Sequence, residues 1–223
     1  MESARCGDIF SSDRKFLQLK LIMGVNLSKT SNVIFFAAFL PLVSFFLSKG
    51  FHALFPDLPF WAETLSPLLA YGVLYAIFEK YAWHWKIFRI FGVVSVPDLR
   101  GRWKGKQRSS HKENGSNVEV PSCLEISQTF SKIFVRACYE RSQSESVVAN
   151  FTELNEEIYL FYTYDNEPNS LKSGTMQAHK GTVKLKHIPK ENKLIGVYFN
   201  SIGNSGEIDF EFEQYDLISR FAK

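Results

Sequence analysis

From Gly101 onward, apolar and polar residues alternate with a period of two, whereas residues 32 to 96 carry Phe, Leu, Ala, Val and Trp in long blocks. Strict alternation places one set of side chains on one face of a strand and the other set opposite. In "EIDFEFEQY", Ile208, Phe210 and Phe212 share a face and Glu207, Asp209, Glu211 and Glu213 share the other. "GTVKLKHI" repeats the pattern, with Val183 and Leu185 against Thr182, Lys184 and Lys186. Eight such runs fall near 100–108, 118–129, 131–141, 145–154, 156–165, 176–188, 193–201 and 206–215, separated by turn formers such as "HKENGSN", "TELNEE", "PKENK" and "SIGNSG". Most connections are too short for crossover helices, so the strands are expected to be antiparallel and paired with chain neighbours. An eight-stranded up-and-down β-barrel follows, closed against exposed edges and wide enough for side chains or one small ligand. A two-sheet sandwich is the alternative. The connection after the fifth run, about ten residues, is expected to be the longest apart from that after the first. It reads as a mobile rim over a ligand mouth, with a plain turn as the other reading.

The apolar blocks predict a different element. Val33–Leu47, "VIFFAAFLPLVSFFL", has no charge, and extension through Lys49 and His52 to Phe55 supplies the roughly 20 residues a bilayer crossing needs. Leu65–Phe78, "LSPLLAYGVLYAIF", is the second candidate, with Trp61 before it and Tyr81, Trp83 and Trp85 after it, as at a water–lipid interface. Buried helices of a soluble protein, or a signal peptide for the first block, are the alternatives; "SKGFHALFPDLPF" is a poor cleavage region. Arg14, Lys15, Lys20 and Lys29 precede the first block, and Lys80, Lys86, Arg89, Arg100, Arg102 and Lys104 follow the second. Residues 50 to 62 hold only Lys- and Arg-free sequence, so both termini are expected in the cytoplasm. "YAWHWKIFRIFGVV" then continues as an interfacial helix, ended by "VPDL". "MGVNLS" from Met23 matches a myristoylation pattern if translation starts there. The expected division is a cytoplasmic tail over 1–30, two transmembrane helices with a short external loop and the interfacial helix over 31–97, and a cytoplasmic barrel over 98–223.

Charge narrows the function classes. Residues 99–223 carry 17 Lys+Arg and 16 Asp+Glu, a net of +1, and residues 1–98 carry 9 and 7, a net of +2. Neither half has the one-signed surface of a duplex-binding protein, so no long nucleic acid is expected as partner. Cys6, Cys123 and Cys138 show no CxxC spacing, which argues against a disulfide framework or a zinc site and for a reducing compartment. No nucleophile, P-loop or dinucleotide motif sits in the required context, and His52, His84, His111, His179 and His187 are scattered. Catalysis, metal and cofactor are therefore not expected.

Binding chemistry is better represented. "YLFYTYDNEP" carries Tyr159, Phe161, Tyr162 and Tyr164, enough to make both strand faces aromatic, and aromatic planes stack bases whatever their identity. The next runs bring His179, Lys180 and Lys184, then Tyr198 and Asn200. Aromatics, cations and amides at a barrel mouth suit a small phosphate-and-base ligand. The residues assigned to it are Arg102, Trp103, Tyr162, Tyr164, Asn166, His179, Lys180, Lys184, Tyr198 and Asn200. Against this stands the ordinary role of each, a half-buried core tyrosine or a solvated lysine.

Two N-terminal apolar blocks, the barrel opening "LRGRWKG" and the series "YTYDNEP…MQAHKGTVKL…KLIGVYFN…GEIDFEF" resemble the two-transmembrane β-barrel effectors of bacterial CBASS anti-phage systems. The resemblance covers roughly residues 30 to 215. It implies that the barrel binds a cyclic dinucleotide made by a cognate nucleotidyltransferase after infection. Binding would then drive homo-oligomerisation through the spans, disruption of the bilayer of the bacterial inner membrane, and abortive infection. The Gly-x-Trp start of the barrel also looks like the lipocalins. A lipocalin-like, membrane-anchored carrier of a lipid or other apolar ligand is thus the alternative, and it predicts an interior apolar throughout. An anchored scaffold with a fully packed barrel is the third.

Overall fold

A computed structural model describes residues 30–55, 60–113, 116–155, 157–168 and 178–218. The expected tail, the "MGVNLS" pattern and the centre of the loop between the apolar blocks lie outside the described residues. The chain divides into two compact units. The first ends at Ser95 and also takes in Thr129–Ser131; the second holds Val96–Gln128 and Lys132 onward.

In the first unit the leading apolar block is helical, as α1 (Thr30–Ile34), a π-helical segment (Phe35–Phe39) and α2 (Leu40–Leu54). Pro41 lies just past the π-helical segment, so its missing N–H falls where the α ladder is already interrupted. Helix α3 (Phe60–Ile77) runs into a second π-helical segment (Phe78–Ala82), and the short α4 (Lys86–Ile90) follows. Phe35, Phe36, Phe78 and Phe88 pack as a cluster, with ring centroids 4.9 Å apart for Phe78–Phe88 and 5.3 Å for Phe36–Phe78. Other apolar side chains stay outside: Phe39, Leu42, Phe46, Leu47, Leu68 and Leu69 are all more than half exposed. Such an apolar surface is costly in water and suits lipid. Among the described residues one helix, Asn32–Leu54, is long and apolar enough to cross a bilayer, with 23 residues and mean hydropathy 1.9. At ~1.5 Å per residue its length matches a hydrocarbon core of about 30 Å. The second block is helical too.

The second unit is the barrel. Its strands are β1 (Gly101–Glu113), β2 (Ser116–Gln128), β3 (Ile133–Cys138), β4 (Ser142–Leu154), β5 (Glu157–Pro168), β6 (His179–Ile188), β7 (Lys193–Asn200) and β8 (Ser205–Gln214). Each pairs antiparallel with its chain neighbour, and β8 pairs with β1 to close the sheet. The sandwich alternative is thereby excluded. One connection differs from expectation: β1 and β2 run to Glu113 and Ser116, leaving only Asn114 and Gly115 between them. Asn-Gly is the strongest two-residue hairpin signal, and it outweighs the polar run read as a long loop. Between Pro168 and His179, residues 169–177 lie outside the described residues, and the rim reading with them. Asn155 and Asn192 turn the β4–β5 and β6–β7 connections in the left-handed region, at φ 50° and 55°, which asparagine tolerates well.

Alternation sorts the strands into an inner and an outer face. Trp103, Leu124, Ile126, Val135, Phe151, Leu160, Leu185, Leu194 and Phe210 fill the interior and are buried. Trp103 donates its indole N–H to the Leu99 carbonyl at 3.0 Å, so its one polar atom is satisfied inside. Outside, Arg102 is buried too: it donates to Glu125 at 2.7 Å and to Glu213 at 2.8 Å. Glu125 also accepts the Ile218 N–H, so the segment after β8 lies over this pair.

Candidate functional site

The interior is not uniform along its length. Trp103, Leu124, Leu160 and Phe210 belong to an apolar end, whereas the other end collects polar and aromatic side chains from six strands. Register brings them together. Ser144 on β4 opposes Asn166 on β5, and Asn166 opposes His179 on β6. In the next rows Tyr164 opposes Gly181, Gly181 opposes Asn200, and Tyr198 opposes Gly206. Tyr162 lies inward beside Tyr164, ring centroids 6.3 Å apart, and the Tyr164 ring is also 6.3 Å from the His179 ring. Tyr139, just past β3, donates its hydroxyl to Gln107 Oε1 at 2.8 Å.

Two glycines shape this end. A Cβ on Gly181 would collide with the Tyr164 ring and the Phe199 carbonyl, and one on Gly206 would collide with the Tyr198 ring and the Arg108 carbonyl. Each tyrosine therefore lies across the bare backbone of the neighbouring strand, as aromatic side chains do over cross-strand glycines. Tyr164 and Tyr198 are packed against these glycines.

Electrostatics keep Tyr139, Tyr162 and Tyr164 neutral. Burial pushes the Tyr139 and Tyr162 hydroxyls far above the ordinary phenol range, with neighbouring tyrosines adding to it. Tyr164 is pushed up to about 12, chiefly by burial and further by Tyr198. Neutral phenols at physiological pH can donate to an anionic group without repelling it. Two polar groups here have no hydrogen-bond partner although buried: Asn166 Nδ2, on a residue 4 % exposed, and Ser122 Oγ, on one 1 % exposed. An unsatisfied buried donor costs about 1–3 kcal/mol and demands an explanation. A polar ligand or water in this end would supply the partners.

The ten residues assigned from sequence fall into three places. Tyr162, Tyr164, Asn166, His179, Tyr198 and Asn200 converge on the polar end. Trp103 lies in the apolar packing. Arg102, Lys180 and Lys184 point outward, because each shares its strand parity with exposed residues such as Lys104 and Thr182. Arg102 is held by its two carboxylates, Lys180 pairs with Asp165 at 3.6 Å, and Lys184 sits 4.2 Å over the Tyr159 ring. Tyr159 and Phe161 form the outer aromatic face of β5, distinct from the inner pair. Among the described residues no Lys or Arg reaches the interior.

The site also holds residues that the sequence reading passed over: Gln107, Ser122, Tyr139 and Ser144. Parity alone could have found them. Gln107 continues the face of Trp103 and Gly105, and Tyr139 that of Val135 and Ala137. An interior with this polar end does not fit a carrier whose lining is apolar throughout.

Comparison with known families matches residues 94–212 to the family described as Cap15, cyclic dinucleotide receptor domain. The match spans 119 residues (212 − 94 + 1), more than half of the 223. No curated protein matches the chain.

Proposed function

The chain belongs to the family of Cap15 cyclic dinucleotide receptor domains, and we propose that its ligand enters the barrel at the end lined by Tyr162, Tyr164 and Tyr198. The observation that carries this placement is the pair of buried, unpartnered polar groups, Asn166 Nδ2 and Ser122 Oγ, beside the neutral phenols of Tyr139, Tyr162 and Tyr164. The rings of Tyr164 and Tyr198 offer faces to the two bases. The hydroxyls, His179, Asn166 and Asn200 donate to phosphate and base edges, in a role first given to Arg102, Lys180 and Lys184. The protein acts as a receptor rather than an enzyme, with no metal or cofactor.

The receptor serves as an effector of a cyclic-oligonucleotide defence system. The helix Asn32–Leu54 anchors it, and the Phe60–Ala82 helix forms the second span, both termini cytoplasmic and the barrel on the cytoplasmic side of the bacterial inner membrane. A ligand that binds the assembled form better than the monomer shifts the population toward an oligomer. The assembled spans then disrupt the bilayer and abort infection, with the ligand supplied by a cognate nucleotidyltransferase. Calorimetric titration of the full-length protein in detergent with cyclic di-AMP, cyclic di-GMP and uracil-containing cyclic dinucleotides tests this. Saturable one-per-barrel binding of at least one is expected; no heat from any of them would refute it.

A further inference from the structure

Among the described residues, the turn between β2 and β3 clusters by its contacts with the first unit. Thr129–Ser131 falls in the first compact unit, although Gln128 before it and Lys132 after it fall in the second. One side chain accepts three hydrogen bonds from it. Glu79 Oε1 accepts the Thr129 hydroxyl at 2.6 Å, the Ser131 hydroxyl at 2.7 Å and the Ser131 N–H at 3.1 Å. The Glu79 carbonyl accepts the Phe130 N–H at 3.0 Å. The Phe130 ring, 2 % exposed, stands 5.0 Å from Phe78 and 5.4 Å from Phe36.

The details are those of a device rather than of plain packing. Both helices leave α pitch where they meet the turn, over Phe35–Phe39 and over Phe78–Ala82. Single-turn π segments of this kind gather at functional positions. The carboxylate is also used unevenly: Oε1 takes three donors while Oε2 is buried with none. A network satisfied on one side only is poorly optimised for stability. β2 runs from the clasp to the candidate site: Ser122 lies seven residues along the chain from Thr129. At ~3.3 Å per residue that is about 23 Å of continuous ladder.

We propose that the Glu79 clasp on Thr129–Ser131 passes the ligand state of the barrel to the membrane helices. This rests on the function proposed above. Glu79 is a positioning residue: it touches no ligand, and its work is to make the helices follow β2 and β3. Removing it leaves ligand affinity intact and cuts the output.

The full-length protein in phosphatidylethanolamine–phosphatidylglycerol vesicles with a trapped dye tests the clasp, using whichever of the named cyclic dinucleotides binds. Glu79→Ala is expected to keep the wild-type Kd within about twofold, while dye release at saturating ligand falls at least tenfold. Glu79→Gln keeps the Oε1 acceptor and restores release to within threefold of wild type. Should Glu79→Ala fail to insert, the double change Thr129→Val with Ser131→Ala leaves the helices unaltered and is expected to give the same split. Wild-type release from Glu79→Ala, equal loss in Glu79→Gln, or a parallel loss of affinity and release would overturn the clasp alone. A wild-type protein that neither binds nor leaks would overturn the receptor reading and the clasp with it.

Discussion

The two ends of the barrel interior are built from the same eight strands but to opposite rules. At the apolar end Trp103 is closed in by Leu124 and Phe212, and its single polar atom is bonded to Leu99. At the other end two glycines make room for two tyrosines, and two buried polar groups are left without partners. The first is what packing for stability looks like. The second accepts a cost that only a bound polar group repays, which is how binding sites in rigid scaffolds commonly arise.

Substitutions at the two ends are expected to separate stability from binding. Trp103→Ala is expected to have the largest effect, a loss of about 3–5 kcal/mol from a cavity in a packed core, read by chemical denaturation of the full chain. Ligand affinity of the fraction still folded should stay near wild type. Arg102→Ala leaves Glu125 buried without its cation and is expected to cost about 3 kcal/mol, again with little change in affinity. A large affinity loss with unchanged stability in either variant would move the site away from the polar end.

The polar end is expected to respond in the reverse sense. Asn166→Leu removes an unsatisfied donor and should leave stability equal or raise it by up to ~1 kcal/mol, while binding weakens at least tenfold. Tyr164→Phe should cost roughly fivefold in affinity through one lost hydrogen bond of about 1 kcal/mol, with stability nearly unchanged. Alkaline titration adds a smaller, ligand-free test. Tyr164 is neutral in the fold up to about 12, against about 10 in an unfolded chain. The stability tied to it is complete below pH ~10 and drains as pH rises toward 12. Tyrosinate absorbance that appears fully at pH 10 in the folded protein would contradict a buried cluster.

Much of this was legible in the residues. Period-two alternation located all eight strands and the pairing order, because neighbouring strands joined by short turns have few other options. It even put Lys184 opposite Val183. The site list mixed the faces because it was gathered by residue type, aromatic plus cation, rather than by parity. Tyr139 and Ser122 escaped although parity places both inward, because neither stands in a conspicuous cluster. The burial of Arg102 was not legible, since its carboxylates come from positions 23 and 111 residues away. Nor was the Glu79 clasp, which joins residues about 50 apart through one oxygen.

The central claim is that the cyclic dinucleotide sits inside the polar end and not against the basic outer face. Parallel titration of Asn166→Leu and Lys184→Ala against wild type tests it most directly, because the two residues lie on neighbouring strands but on opposite faces of one sheet. Binding lost at least tenfold in Asn166→Leu and kept within twofold in Lys184→Ala is the predicted result. Affinity lost in Lys184→Ala and retained in Asn166→Leu would place the ligand outside the barrel and contradict the account.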